Sequence, residues 1–256
     1  MMKTFNFGFE ENSVLTEFPF SPQINFKKTP HAAFFGASGS GKTYALKLFI
    51  AKFLKNNPNA CCIIGDYKSD SDFYFLKKEQ YFFNFVDIDN IFHIGIQLLE
   101  IRQREKSSCK NSFPILIILD ELGAYYNSLE KKKRDECISI MTRLLTLGRS
   151  FNINVIISNQ FAHSEYFGKS RDNLGNIIYL GKISKEGAGM IFHEWRDNMS
   201  LNNTRGEGYL LSSGNVPIKI IIPKIRCIEN VEKLILKGVQ NSEQMLNIYG
   251  IFKHIE

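Results

Sequence analysis

The residues with the clearest chemistry in this 256-residue chain are Gly36-Ala37-Ser38-Gly39-Ser40-Gly41-Lys42-Thr43. Two glycines bracket four residues, and lysine and threonine follow at once. This spacing makes a loop whose backbone N–H groups turn inward around a phosphate, because no bulky side chain blocks the approach. Lys42 has the reach for β- and γ-phosphate oxygens, and the Thr43 hydroxyl is a ligand for Mg²⁺. Tyr44 continues into a helix whose positive end faces the same anion. The plain alternative is a glycine-rich turn that binds nothing. The apolar run Ala32-Ala33-Phe34-Phe35 before the loop and the amphipathic helix after it argue against that reading.

A second acidic site ends the apolar run Phe113-Pro114-Ile115-Leu116-Ile117-Ile118-Leu119 with Asp120-Glu121. Such a run predicts a buried parallel strand, and its C-terminal tip is where open α/β sheets bind ligands. Asp120 there would hold Mg²⁺ through water, and Glu121 would orient and deprotonate an attacking water. The competing reading makes the two acids an N-cap for the next helix. A third strand, Asn154-Val155-Ile156-Ile157-Ser158, ends in Asn159-Gln160, which places Gln160 to sense a terminal phosphate.

These groups need a scaffold, and the chain alternates short apolar runs with helical patterns throughout. Strands are expected at 31–35, 60–65, 113–119, 153–158, 176–180, 207–212 and 217–222, and helices at 43–56, 91–105, 131–147, 184–194 and 229–238. The fold class is therefore α/β, a RecA-like P-loop NTPase with a mostly parallel central sheet and helices on both faces. Runs at 4–9 and 14–20 around Glu10-Glu11-Asn12-Ser13 predict an N-terminal hairpin. The expected organisation is a β-hairpin extension over 1–30, the ATPase domain over 31–225 and a helical segment over 226–256.

Composition narrows the class. Hydrophobic residues at 44% and charged residues at 23% exclude a disordered chain. A net charge of +6 permits contact with a polyanion without requiring it. The five cysteines form no Cys-x-x-Cys pair and the five histidines are scattered, so no metal framework is indicated. No apolar stretch approaches the ~20 residues of a membrane span, and no signal-peptide layout opens the chain. A cytoplasmic setting, or a virion in the case of a viral protein, is expected.

Read together, these pieces resemble the FtsK/HerA superfamily of DNA-translocating ATPases. The loop at 36–43 resembles its Walker A motif and Leu119-Asp120-Glu121 its Walker B. Ile63-Ile64-Gly65-Asp66-Tyr67-Lys68 resembles the strand-end Asp-Pro-Lys signature, with Tyr67 where proline is usual. Leu147-Gly148-Arg149-Ser150 through Asn159-Gln160 resembles the family's Gly-Arg, apolar strand, Gln block, and Gly206-Glu207-Gly208-Tyr209-Leu210-Leu211 its closing glycine turn and strand. The likeness spans about 31–225 in preserved order, and in size the chain is similar to the small genome-packaging motors of viruses, with small motors of conjugative or mobilisable elements the alternative.

The resemblance implies ATP and Mg²⁺ as cofactors and a homo-oligomeric, commonly hexameric ring with double-stranded DNA in its channel. It also implies an arginine reaching a neighbour's nucleotide, for which Arg149 and Arg171 are candidates ahead of Arg143. DNA contacts would come from loops at 123–136 and 161–172, with Lys131, Lys132, Lys133, Arg134 and Lys169 on phosphates. For each of these cations the alternative is an ordinary solvated surface charge. A capsid or conjugation machinery is the implied partner, and no direct membrane insertion is expected. The rival functions are a coupling ATPase of a conjugative element, an ATPase that moves or remodels protein, and a slow nucleotide-dependent switch.

Overall fold

The computed structural model describes residues 4–105, 112–166, 168–212 and 215–251. Its strands are β1 (Phe5–Asn6), β2 (Phe9–Glu10), β3 (Gln23–Ile24), β4 (Ala32–Phe35), β5 (Cys61–Asp66), β6 (Phe82–Asn84), β7 (Ile115–Asp120), β8 (Ile153–Asn159), β9 (Asn176–Leu180), β10 (Glu207–Ser212) and β11 (Ile218–Ile221). The helices are α1 (Lys42–Asn56), α2 (Ile88–Arg104), α3 (Leu122–Ser128), α4 (Lys131–Leu147), α5 (Lys185–Ile191) and α6 (Ile228–Leu246).

Nine strands form one sheet in the order β2-β11-β10-β9-β4-β8-β7-β5-β6. The six strands from β9 to β6 are parallel, and β10, β11 and β2 extend the β9 flank in antiparallel fashion. This is the α/β P-loop architecture with β8 inserted between the phosphate-loop strand β4 and the acidic strand β7. Every residue of β4, β5, β7, β8 and β9 is buried, as strands covered on both faces must be.

Side-chain alternation along β5 assigns the two faces. Cys62 meets α6 at Gly238, which sits so close to Leu54 of α1 that a side chain there would stand 2.7 Å from it. Three residues on, Gly65 faces Ile88 and Ile91 of α2. Helices α1 and α6 thus cover one face, and α2 with α4 the other. Because β6 pairs only with 64–66, Ser242 of α6 satisfies the Cys62 N–H and carbonyl, each at 2.8 Å.

The predicted N-terminal hairpin is not what forms. β1 pairs with β3, β2 pairs with β11, and 14–20 carries no strand. The apolar alternation was sound, but its consumer is an aromatic cluster. Phe5, Phe7 and Phe26 pack edge-on and tilted against Phe34 of β4 and Phe49 and Phe53 of α1, with centroids 5.0–6.4 Å apart. Two further elements were absent from the sequence reading: β6, and α3, which replaces the expected loop after β7.

His31 sets the register where β4 begins. Its ring is fully buried, and Nδ1 accepts the Val155 N–H at 3.0 Å from β8. Burial lowers its pKa from 6.5 to about 4. The neutral ring is therefore required by the fold, and its contribution is complete above pH 6.5 and lost as pH falls toward 4. Urea melts at pH 7 and pH 4 should show wild type losing up to roughly 3 kcal/mol more than His31→Asn over that interval. Asparagine tolerates the left-handed backbone found there (φ 63°). Equal losses in the two proteins would refute the assignment.

Candidate functional site

The tips of β4, β8, β7 and β5 open on one edge of the sheet, and the chemistry collects there. After β4 the chain turns tightly: a side chain at Gly36 would come within 2.5 Å of Ser40 Oγ and 2.7 Å of the Leu180 carbonyl. Gly41, at φ 90°, occupies the N-cap of α1 and offers no capping side chain. The first intrahelical bond runs from Ala45 N–H to the Gly41 carbonyl at 2.9 Å, so the N–H groups before Ala45 lack helical acceptors and are available to an anion.

This loop floors a cleft of about 460 Å³. Its walls include Ala37, Ser38, Gly39, Gly41, Lys42, Thr43 and Tyr44 from the loop and helix, with Glu121 and Gln160 opposite. Lys42 is the hub. Its Nζ donates to Glu121 Oε1 at 2.9 Å, to Ser158 Oγ at 3.0 Å and to Asp120 Oδ1 at 3.4 Å, all buried. Burial by itself would lower the lysine pKa, but Asp120 and Glu121 outweigh it and raise the value. The two segments most legible in the sequence are thus in direct contact.

Backbone geometry fixes the acids. Asp120 ends β7 in register with Asp66 of β5 and Ser158 of β8. Glu121 sits in the left-handed region at φ 55°, outside the strand and ahead of α3, a conformation that costs a non-glycine residue energy and marks a constrained position. It does occupy the N-cap position of α3, yet its side chain makes no capping bond; the carboxylate goes to Lys42 instead. Asn159 Oδ1 accepts the Gly123 N–H at 2.6 Å, which ties α3 to the tip of β8 beside Gln160.

Asp66 is the third buried acid. Burial first, and then the neighbouring Asp120, push its pKa up to about 7. Its Oδ1 accepts the Ser69 N–H, whereas Oδ2 is buried without a hydrogen-bond partner among the described residues. Beyond it, 68–72 folds over the cleft, with Lys68 and Asp72 in its wall.

The remaining expected residues scatter. Lys131 and Lys132 are exposed on the first turn of α4, which runs antiparallel to β8 and so begins on the cleft edge. Lys133 is paired with Asp89 at 3.4 Å, while Arg134 is half-buried. The segment 161–172 starts on that edge, where Tyr166 packs against Gly123 and Tyr126 of α3, and leaves it to reach the start of β9. Arg171 donates to the Met190 carbonyl at 3.2 Å, and Asn173 reaches Thr146 near the far end of α4. The Lys169 side chain lies outside the described residues. Arg149 is exposed in the turn before β8, at the opposite edge from the cleft. Arg143 pairs with Glu100 at 3.2 Å on the surface. Sequence reasoning missed Arg205, which lines the cleft from the loop before β10; no motif marks it.

Comparison with known proteins agrees with this geometry. A family model described as the central domain of the helicase HerA matches residues 23–108, which carry the phosphate loop, α1 and β5. An FtsK domain-containing protein of Bacillus subtilis, YdcQ, is 28% identical over 134 residues, covering 51% of this chain and 28% of that protein. The fold is of the P-loop ATPase type, with similarity to HerA and to an FtsK domain-containing protein over part of the chain. Among solved structures, the chain superposes on ATPases 2 and 3 of EssC from Geobacillus thermodenitrificans with a TM-score of 0.70 (15% identity; 96% of this chain, 50% of that one). The cytoplasmic domain of the type VII secretion ATPase EccC of Thermomonospora curvata gives 0.72 (14%; 92% and 31%). The conjugation coupling protein TcpA of pCW3, solved with ATPγS, gives 0.68 (16%; 87% and 66%). At these identities the likeness concerns fold, and the chain spans only 28% to 66% of the relatives' lengths. Among the described residues, no helix is long and apolar enough to cross a membrane.

The hub makes a prediction that needs no ligand. Lys42→Met leaves Asp120 and Glu121 buried together without their cation, which should cost about 3 kcal/mol at pH 8. Denaturant melts of wild type and variant at pH 8 test it, and an unchanged midpoint would mean that Lys42 does not neutralise those carboxylates.

Proposed function

We propose that the chain is a Mg²⁺-dependent ATPase that moves double-stranded DNA as a ring of identical subunits. The observation that carries the catalytic part is the contact of Lys42 with Asp120 and Glu121 at the mouth of the phosphate loop. The donor set suits a nucleoside triphosphate: unpaired N–H groups at the α1 terminus, a lysine, and one cation against two carboxylates, a deficit that a divalent ion makes up. Thr43 and Asp120 would hold that ion, which when bound supplies charge neutralisation between phosphate oxygens.

The chain's own residues divide the remaining work. Lys42 exchanges its carboxylates for phosphate oxygens, which frees Glu121 to accept a proton from water. The water lies between Glu121 and Gln160, and the Gln160 amide holds it in line. The fixed backbone of Glu121 keeps its carboxylate from following Lys42. Glu121→Gln should lower turnover by at least about a hundredfold while nucleotide still binds. The decisive assay is ATP hydrolysis with and without duplex DNA. A rise with duplex supports the DNA motor, and wild-type turnover in the glutamine variant overturns the assignment of the base. A rate indifferent to DNA would favour a protein substrate, the alternative class of motor. Lys131 and Lys132 are the cations on the cleft edge free to meet DNA phosphates.

The ring rests on Arg149. β8 separates it from its own cleft by seven residues, roughly 20 Å, so any role on a phosphate would be at a neighbour's site. Mixing two inactive proteins, Arg149→Ala and Glu121→Gln, should recover up to roughly a quarter of wild-type turnover, the random share of interfaces with both groups intact. No recovery on mixing would remove the shared site.

A further inference from the structure

Four cations line the cleft: Lys42, Lys47, Lys68 and Arg205. Lys42 has Asp120 and Glu121, Lys47 has Glu232 at 3.3 Å, and Lys68 has Asp70 at 2.7 Å. Arg205 alone has no carboxylate partner among the described residues. The nearest acid in sequence, Glu207, is spent on the Thr204 N–H at 2.9 Å. An unneutralised guanidinium facing a cleft that receives polyphosphate is a group with a purpose still open.

The loop that carries it is fastened to the phosphate loop itself. Gly206 N–H donates to the Ser40 carbonyl at 2.9 Å, and the Gly206 carbonyl accepts the Ile222 N–H at 2.8 Å. Asn203 Nδ2 donates to the carbonyls of Gly181 and Ser200. The Tyr44 hydroxyl accepts the Ile225 N–H, binding the next stretch of chain to α1. Arg205 therefore projects from a braced strap. A side chain placed on Gly41 would stand 3.6 Å from its Cγ, so the stem runs alongside the N-cap of α1.

Sheet order tells which end of the nucleotide this is. Asp120, Glu121 and Gln160 come from β7 and β8, on one side of β4. Arg205 comes from the start of β10, beyond β9 on the other side. The bond to be broken lies with Glu121 and Gln160, so the phosphate chain runs away from them across Gly41 toward Arg205. We infer that Arg205 is a nucleotide-binding residue, supplied by the same subunit, that grips the sugar-proximal phosphate. The inference rests on the ATPase reading above. A guanidinium there forms charge-assisted bonds with an oxygen pair that ADP and ATP share, so it adds affinity for both and discriminates between neither.

Calorimetric titration of ADP and ATPγS with Mg²⁺ into wild type, Arg205→Ala and Arg205→Lys tests this. Arg205→Ala should weaken both nucleotides to the same degree, by roughly tenfold or more, and Arg205→Lys should restore part of the loss. Since Arg205 is exposed, the melting temperature without nucleotide should not move; should the alanine variant fail to fold, the lysine variant, which keeps the stem, carries the test. Unchanged affinity in Arg205→Ala overturns the inference, as does a loss confined to ATPγS, which would put the residue at the terminal phosphate. A wild type that binds neither nucleotide sinks the ATPase reading and this inference with it, whereas binding by wild type with an indifferent variant sinks the inference alone.

Discussion

A single ammonium group, buried among two carboxylates and a hydroxyl, determines how the working edge of this sheet is arranged. Taking Asp120 and Glu121 out of water side by side is costly unless a cation shares the site. Lys42 can be that cation only if α1 begins where it does, one tight turn after β4. That in turn requires β8 between β4 and β7, so that Ser158 supplies the third oxygen. The strand order, the glycine turn and the left-handed Glu121 all serve one charge balance.

The antiparallel flank has a different task. No residue of β10 or β11 lines the cleft, yet the loop entering β10 buttresses the phosphate loop through Gly206 and Ser40. The cleft is thus lined from two sides of β4: by Glu121 and Gln160 at the tips of the parallel strands, and by Arg205 from the strap that returns late in the chain. That two-sided origin explains why one cleft holds both paired and unpaired cations.

How much of this could be read from residues alone depended on distance along the chain. The phosphate loop, the Asp120-Glu121 tip and Gln160 were legible because each is a short motif whose neighbours in sequence set its geometry. The central strands were legible too, since a buried parallel strand is a continuous apolar run. What escaped was set by partners far away. Helix α3 was hidden because Gly123 and the polar Asn127-Ser128 suggest a turn, whereas packing of Tyr125 and Tyr126 on Phe92 stabilises a helix. The apolar residues near the N-terminus pointed to a hairpin, but their partners are α1 and β11. Arg205 lies just ahead of the glycine turn that begins at Gly206, and it is the bond from Gly206 to Ser40 that brings it to the cleft. Of the segment at 161–172, the first part stays beside α3, and the rest runs back to the opposite edge, as a connection between two parallel strands must.

The pairing of β2 with β11 has a bearing on biosynthesis. Phe9 and Glu10 leave the ribosome long before Ile220 and Ile221, their eventual partners; at ordinary elongation speeds the wait over roughly 200 residues is about 10–40 s. For that interval the nascent segment must shelter elsewhere, and the aromatic side chains just before it, which dock on α1, offer an early berth. The sheet's outer seam then closes only after a strand about 200 residues later in the chain has emerged.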